Sequence, residues 1–338
     1  MARTAQLKIV LVVSVAACVL MLLFTLHSAN PGLLLAGQTN VVDVTKYISP
    51  VIPYTFVNGS SHNDTGLVKR YDIILGSQSN RTKPFACVPL ITTVVENTPI
   101  CIYDPKIDIY VSGSIKKYGN WEGGQIRQVM NFLKLYTDME FLDLGCNVGV
   151  YTLGVTKLGR RVVSVDANVK NLRLLSRSLV LGGLQNHSIT LLYNAISDKV
   201  ETVQLKPSNK NIGGTRVVEA DPAADEEQKS QGITLDHLVP LFSNRPLFIK
   251  MDIETNEWKA LKSGSKFFKY INVQYVLMEW MHHKTRPEGG LIIQFFMDHS
   301  FRPYHPNQLP KMLRVELMHS WPGDILWIKD GAHILPST

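Results

Sequence analysis

Two carboxylates that bracket a glycine-bearing turn are the first residues with chemistry in them. Asp143 closes an apolar run in 141-FLDLGCNVGVYTLG-154 and is followed by Gly145, Asn147 and Gly149, a GxxxG spacing; Asp166 ends the next apolar run, 17 residues after Gly149. In an open α/β sheet the ligand lies where a strand feeds such a turn and then a helix. Glycine there removes side chains where backbone must approach a ligand. The GxGxxG of a pyrophosphate site is missing. Asp166 suits a bidentate hydrogen bond to both hydroxyls of a ribose, and Asp143 beside a close-packed turn suits a cationic, amino-acid-bearing ligand. Together they ask for a nucleoside with a positively charged amino-acid tail, which describes S-adenosylmethionine.

A second constellation lies downstream. Lys250, Asp252 and Glu254 alternate through 247-LFIKMDIET-255, so on one strand they would share a face near its carboxyl end. Methyl transfer from a sulfonium to a hydroxyl needs in-line alignment and removal of one proton. Asp252 is the first candidate for general base or acceptor-orienting group, and Glu254 the second. Glu257 suits the start of the following helix. The competing structural reading of the trio is a surface Lys–Asp–Glu network. His282, in 279-EWMHH-283, is a further candidate base. No metal is assigned, because His282 and His283 lack further zinc ligands and Asp252 with Asn256 is too small a set for magnesium. Upstream, Glu122 in 118-YGNWEGGQIRQVMNFLK-134 is placed to meet the ammonium of the donor, with Trp121 beside it, or else simply to open a helix. Cys146, inside the turn, reads as a small packed residue.

The elements that must position these groups alternate. Apolar strand-like runs at 141–145, 161–166, 188–194, 247–253 and 274–280 are separated by helical patterns, such as 169–183 with its stop at Gly182 and Gly183. That pattern predicts a parallel sheet covered on both faces. The runs 312-MLRVEL-317 and 324-DILWIKD-330 are joined by too short a turn for a parallel crossover and are expected to pair antiparallel. The stretches 200-VETVQLKP-207 and 215-TRVVEA-220 read as an inserted strand pair, a candidate lid facing the acceptor.

The chain has 338 residues, 45% hydrophobic and 19% charged, with a net charge of +7 to which Arg3 and Lys8 contribute. This is a folded protein with a dispersed mild positive excess, and no nucleic-acid partner is expected. Residues 9–26 form an uncharged apolar run that reads as a signal anchor, with a cleaved signal peptide as the alternative. Charge before the span places the tail, 1–8, in the cytoplasm and the rest in a lumen, as in a type II membrane protein of the Golgi. Sequons at Asn58, Asn63, Asn80 and Asn186 agree with that side of the membrane. Cys87 and Cys101 are either a disulfide, which we favour in an oxidising compartment, or two separate thiols. Residues 27–85 read as a luminal stem and 86–338 as the folded domain.

The motifs 141-FLDLGCNVGVYTLG-154, 163-VSVDANVKNL-172, 190-TLLYNAISD-198, 234-TLDHL-238 and 249-IKMDIETNEWKAL-261 resemble, in order, those of the FkbM family of S-adenosylmethionine-dependent methyltransferases. The resemblance covers roughly 120–330. It implies the Rossmann-like class I methyltransferase fold: a seven-stranded, mostly parallel sheet with an antiparallel C-terminal strand and helices on both faces. It also implies O-methyl transfer to a glycan or small-molecule hydroxyl. By the same resemblance Asp143, Gly145, Asn147 and Gly149 form the donor turn, Asp166 is the ribose acid, and Asn194 with Ala195 lines the adenine. The chain departs from the family pattern at Thr255 and Asn256, where glycine and a small residue are usual. A catalytically silent donor-binding or scaffold protein is the alternative function, and a nucleotide-dependent oxidoreductase is a third.

Overall fold

The computed structural model describes residues 66–73 and 86–335. The expected span at 9–26 and the sequons at Asn58, Asn63 and Asn80 lie outside the described residues. Among the described residues, no helix is long and apolar enough to cross a membrane.

In chain order the elements are β1 (Ala86–Leu90), β2 (Thr98–Ile102), α1 (Val111–Tyr118), α2 (Gly123–Leu135), β3 (Glu140–Leu144), α3 (Val150–Lys157), β4 (Val162–Asp166), α4 (Val169–Leu181), β5 (Ile189–Tyr193) and β6 (Ala195–Ile196). There follow β7 (Glu201–Ser208), β8 (Asn211–Glu219), β9 (Lys229–Ile233), β10 (Leu247–Met251), α5 (Glu257–Lys262), α6 (Ser265–Tyr270), β11 (Val273–Glu279), α7 (Pro287–Asp298), β12 (Phe301–Tyr304) and β13 (Asp324–Lys329). Seven strands form one sheet in the order β12-β13-β11-β10-β3-β4-β5, in which β13 alone runs against the others. The expected strand-and-helix alternation and the antiparallel C-terminal strand are therefore both present.

The apolar runs are continuous because successive residues feed two different cores. Phe141, Phe248, Tyr275 and Leu326 pack under α2, α3 and α4, whereas Leu142, Ile249, Val276 and Trp327 pack under α5, α6 and α7. A sheet buried on both sides has this signature. Three polar residues interrupt it on one rung: Asp143 of β3 sits between Ser164 of β4 and Lys250 of β10. All three are buried.

The C-terminal hairpin differs from expectation. The partner of β13 is β12, which follows α7 directly, and 312–317 is not a strand. Only Met312 makes an isolated bridge, to Tyr304, and Val315–Ser320 is a short 3-10 helix. Leu313 and Val315 still supply apolar contacts to the second core, so the alternation in the sequence reflects packing, not pairing. Part of the segment read as stem lies against the main sheet. Residues 66–73 run antiparallel along β5, with Tyr71 N donating to Leu191 O at 2.9 Å and Tyr193 N to Lys69 O at 2.8 Å.

Outside the main sheet, β1 and β2 pair antiparallel with Cys87 directly opposite Cys101, and the two are joined as a disulfide. A second, four-stranded sheet, β6-β9-β7-β8, is inserted between β5 and β10. Its long β7–β8 hairpin contains the strand pair read from the sequence.

Candidate active site

The carboxyl ends of β3, β4 and β10 open into a cavity lined on one side by the glycine-bearing turn and on the other by the β7–β8 hairpin. Asp143, Gly145, Asn147, Asp166, Asn194, Glu122, Lys250, Asp252 and Glu254 all border it. Gly149 and His282 do not.

The glycines of the turn are needed for a different reason from the expected one. Gly145 and Gly149 are left-handed, at φ 79° and 93°. A Cβ on Gly145 would lie 1.8 Å from Asp252 O, and one on Gly149 would lie 2.3 Å from Leu175 Cδ1. Protein atoms, not a ligand, fill that space: the turn is packed against the β10 loop and against α4. Asn147, itself left-handed at φ 50°, donates its backbone N–H to Asp166 Oδ2 at 2.8 Å and accepts from Val148 N through Oδ1 at 2.8 Å.

Asp166 is the hub of the hydrogen bonds around the turn. Its Oδ1 accepts from Asn168 N at 2.7 Å, and Asn171 Nδ2 forks across both oxygens at 3.1 and 3.2 Å. The forked amide therefore occupies the bidentate position expected for a ribose diol. Burial raises the carboxyl to about 6, against the opposing pull of those hydrogen bonds. Asp143 is raised to about 6 by burial too, although Thr152 Oγ1 donates to it at 2.6 Å. Asn194 borders the cavity, but its amide is engaged by protein: Oδ1 accepts from Lys69 N at 2.8 Å and Nδ2 donates to Leu67 O at 2.9 Å and Gln231 O at 3.0 Å. It clamps the 66–73 segment onto β9, and the cavity wall next to it is apolar, from Ala195, Ile196, Leu205 and Val217.

Lys250 is 3% exposed, with Nζ 2.9 Å from Asp252 Oδ2, 4.0 Å from Glu122 Oε2 and 5.4 Å from the Tyr151 ring centroid. Burial alone would lower it, but the carboxylates of Asp252, Glu122 and Asp324 outweigh burial and hold it well above its ordinary value. It keeps its proton, which removes it as a base and leaves it as the counter-charge that fixes Asp252. Glu122, raised by burial, accepts from Tyr151 OH at 2.6 Å. Gln125 donates to Asp324 Oδ2 at 2.7 Å, completing the polar layer at this end. The strand expected to carry Lys250, Asp252 and Glu254 stops at Met251. Asp252 keeps its face because it follows the strand directly, whereas Glu254 reaches the cavity through a left-handed turn residue, φ 51°.

Glu254, which borders the cavity, meets His282 just outside it. His282 Nε2 lies 3.6 Å from Glu254 Oε2 and 3.6 Å from Glu279 Oε1. Burial lowers the imidazole, and Arg216 lowers it further, so these are contacts of a neutral ring and not ion pairs. Glu279 is raised to about 10 by burial and by Asp252 and Glu254. The ligand atoms of Glu254, Glu279 and His282 lie within 4.8 Å of one another, as do those of Asp252, Glu257 and Glu279. These are the residues that would hold a cation. Cys146 is buried with its thiol pushed well above the usual range by burial, as suits a packing residue.

Glu254 is raised to about 7, from an unfolded value of 4.5, by burial and then by Asp252 and Glu257. A carboxyl raised on folding contributes stability that is complete below about pH 4.5 and is lost as the pH climbs through about 7. Glu254→Gln should therefore gain on the wild type as the pH rises from 4.5 to 8. Denaturant unfolding at several pH values checks this, and a gap that does not change with pH would contradict it.

Four residues not singled out in the sequence belong to the polar network here: Tyr151 and Asn171 border the cavity, and Glu279 and Asp324 stand behind it. Tyr151 stands inside the first motif. Glu279 and Asp324 face each other at the carboxyl edge, where β11 ends and the reversed β13 begins.

This strand order, with its glycine-bearing turn after β3, next to the central β10, is that of a class I methyltransferase fold. Residues 143–303, just under half of the chain, match the methyltransferase FkbM domain, and the matched segment holds every residue lining the cavity except Val111, Trp121 and Glu122. No curated protein matches the chain. Among solved structures, the chain is similar to a precorrin-6y C5,15-methyltransferase from Geobacter metallireducens GS-15, at 10% identity over 60% of this chain and 88% of that one, TM-score 0.32. It is also similar to an rRNA methylase from Streptococcus thermophilus, at 12% identity over 61% and 96%, TM-score 0.35. A 16S rRNA N2 G1207 methyltransferase from T. thermophilus matches at 10% identity over 73% and 51%, TM-score 0.36.

Proposed function

We propose that the chain is an S-adenosylmethionine-dependent O-methyltransferase of the secretory pathway, acting on a hydroxyl of a glycan or glycoconjugate. The observation that carries the reading is one cavity bordered both by Asp166 and by Asp252, the latter pinned by a buried ammonium. Its residues fit the donor: an apolar wall for the base, Asp166 for the ribose once the diol takes the place of the Asn171 amide, and Glu122 and Asp143 for the cationic tail. When bound, S-adenosylmethionine supplies an electrophilic methyl group. The protein's own share is alignment and proton removal. Asp252 takes the proton of the acceptor hydroxyl, and Lys250 holds that carboxylate in place. The β7–β8 hairpin roofs the site, so close at Gly213 that a Cβ there would lie 3.0 Å from Asn147 Nδ2.

Calorimetric titration of the full chain with S-adenosylmethionine and with NAD, followed by transfer of a labelled methyl group to a glycan panel, tests this. Binding of the first alone, with transfer, is expected. Binding without transfer to any acceptor would select the silent donor-binding protein, and binding of NAD alone would select the oxidoreductase.

The compartment is supported by the Cys87–Cys101 disulfide and by Asn186, which is exposed in the turn ahead of β5, at the end of the sheet away from the cavity. Removal of N-glycans from cell-expressed protein should lower its apparent mass, and Asn186→Gln should remove part of that change. An unchanged mass would put the domain on the other side of the membrane.

A further inference from the structure

The loop between β10 and α5 carries both acids of the acceptor side, and its backbone is unusual. Glu254 and Thr255 are both left-handed, at φ 51° and 79°. Asn256 N donates back to Ile253 O at 3.4 Å, so 253–256 closes as a turn of the I′ pattern, which glycine and asparagine fill at least cost. A β-branched residue at such an angle is an outlier, and a conformation of this kind persists only where the surroundings over-determine it.

Two anchors surround the turn. On one side Asp252 N donates to Leu144 O at 3.0 Å, and its carbonyl packs on Gly145. On the other stands Glu257, 0% exposed, whose Oε1 accepts from Ile253 N at 3.0 Å and whose Oε2 meets His283 Nε2 at 2.8 Å. His283 is 2% exposed and is fixed to the end of β11, its N–H donating to Trp280 O at 2.9 Å and its ring 5.8 Å from that of Trp280. Neither Glu257 nor His283 borders the cavity. The pair ties the acid-bearing loop of one strand to the end of its neighbour.

We infer that Glu257 and His283 are positioning residues that hold Glu254 and Thr255 in their left-handed turn, so that Asp252 and Glu254 face the reacting hydroxyl. The link to turnover rests on the methyltransferase reading above; the holding of the turn does not.

The test is a double-variant cycle in the full chain, with Thr255→Gly to make the turn free of strain and Glu257→Gln to loosen its anchor. In the wild-type background Thr255→Gly should raise Tm by about 2–4 °C, the shift that relief of one strained residue gives in a domain of this size. In the Glu257→Gln background the gain should be less than half as large, because the turn has already relaxed. Glu257→Gln should lower kcat at least tenfold with less than a threefold change in KM for S-adenosylmethionine, and adding Thr255→Gly should bring kcat back to within about threefold of wild type, since glycine restores the turn without its anchor. A merely structural buried pair predicts equal Tm gains in both backgrounds and no recovery of kcat, and that result overturns the inference. Should Glu257→Gln fail to fold, His283→Gln takes its place in the cycle with the same outcomes. If the wild type transfers no methyl group, the function reading fails while the Tm cycle still decides whether the pair holds the turn.

Discussion

Asp166→Ala should weaken binding of S-adenosylmethionine by at least about a hundredfold. The ribose diol would take the place that the forked Asn171 amide holds in this structure, and two charge-assisted hydrogen bonds, each on the order of 1.5–3 kcal/mol, set that scale. The substitution does more than delete a ligand contact, because Asn147 N, Asn168 N and Asn171 Nδ2 all lose their acceptor. Part of the loss would then come from a loosened donor turn. An analogue of the donor that lacks both ribose hydroxyls separates the two effects. The wild type should bind it far more weakly than the donor, by a factor close to that of the substitution, whereas Asp166→Ala should hardly distinguish the two ligands. If the variant still discriminates strongly, the ribose lies elsewhere in the cavity, and the network that Asp166 makes with Asn147 and Asn171 is the turn's scaffold and nothing more.

The parts of this arrangement that were legible in the sequence are those set by local chain chemistry. Asp143 and Asp166 each follow a run of apolar residues, and a strand buried on both faces leaves no other reading for such a run. Their separation along the chain is the length of one crossover helix, so both had to emerge at the carboxyl edge. The antiparallel final strand was legible for the same reason, but its partner was not. The residues 312–317 alternate as a strand does, and only the preceding arrival of Phe301–Tyr304 at the β13 edge displaces them. Glycine was the least legible. Gly145 and Gly149 mark close approach in either case, and nothing in a linear pattern says whether a ligand or Asp252 O and Leu175 fill the space. The same limit applies at Asn194, whose amide serves a segment more than a hundred residues upstream. Thr255 is the instructive exception: its departure from the expected pattern was visible, while the cost, a left-handed threonine held by a buried pair, is a property of the tertiary structure alone.

Asp252→Asn should lower kcat by about a hundredfold or more, the range removed with a general base, and leave affinity for S-adenosylmethionine within a few-fold of wild type. The separation follows from geometry, since the backbone of Asp252 meets the start of the donor turn, its N–H at Leu144 O and its carbonyl over Gly145, while its side chain is held by Lys250. One complication has a definite sign. Lys250 is buried and its Nζ binds Asp252 Oδ2 at 2.9 Å; with an amide there, the nearest remaining charge is Glu122 at 4.0 Å. A buried ammonium with a weakened partner costs stability, so the variant should also unfold at lower denaturant concentration. Replacing the pair together, as Lys250→Met with Asp252→Leu, removes both charges and should recover much of that stability while leaving turnover as low as in the single variant. Recovery of turnover along with stability would show that Asp252 serves only as the counter-ion of Lys250. The base would then have to be sought at the rim, where Glu254, pushed up to about 7, is the carboxyl best matched to accept a proton near neutral pH.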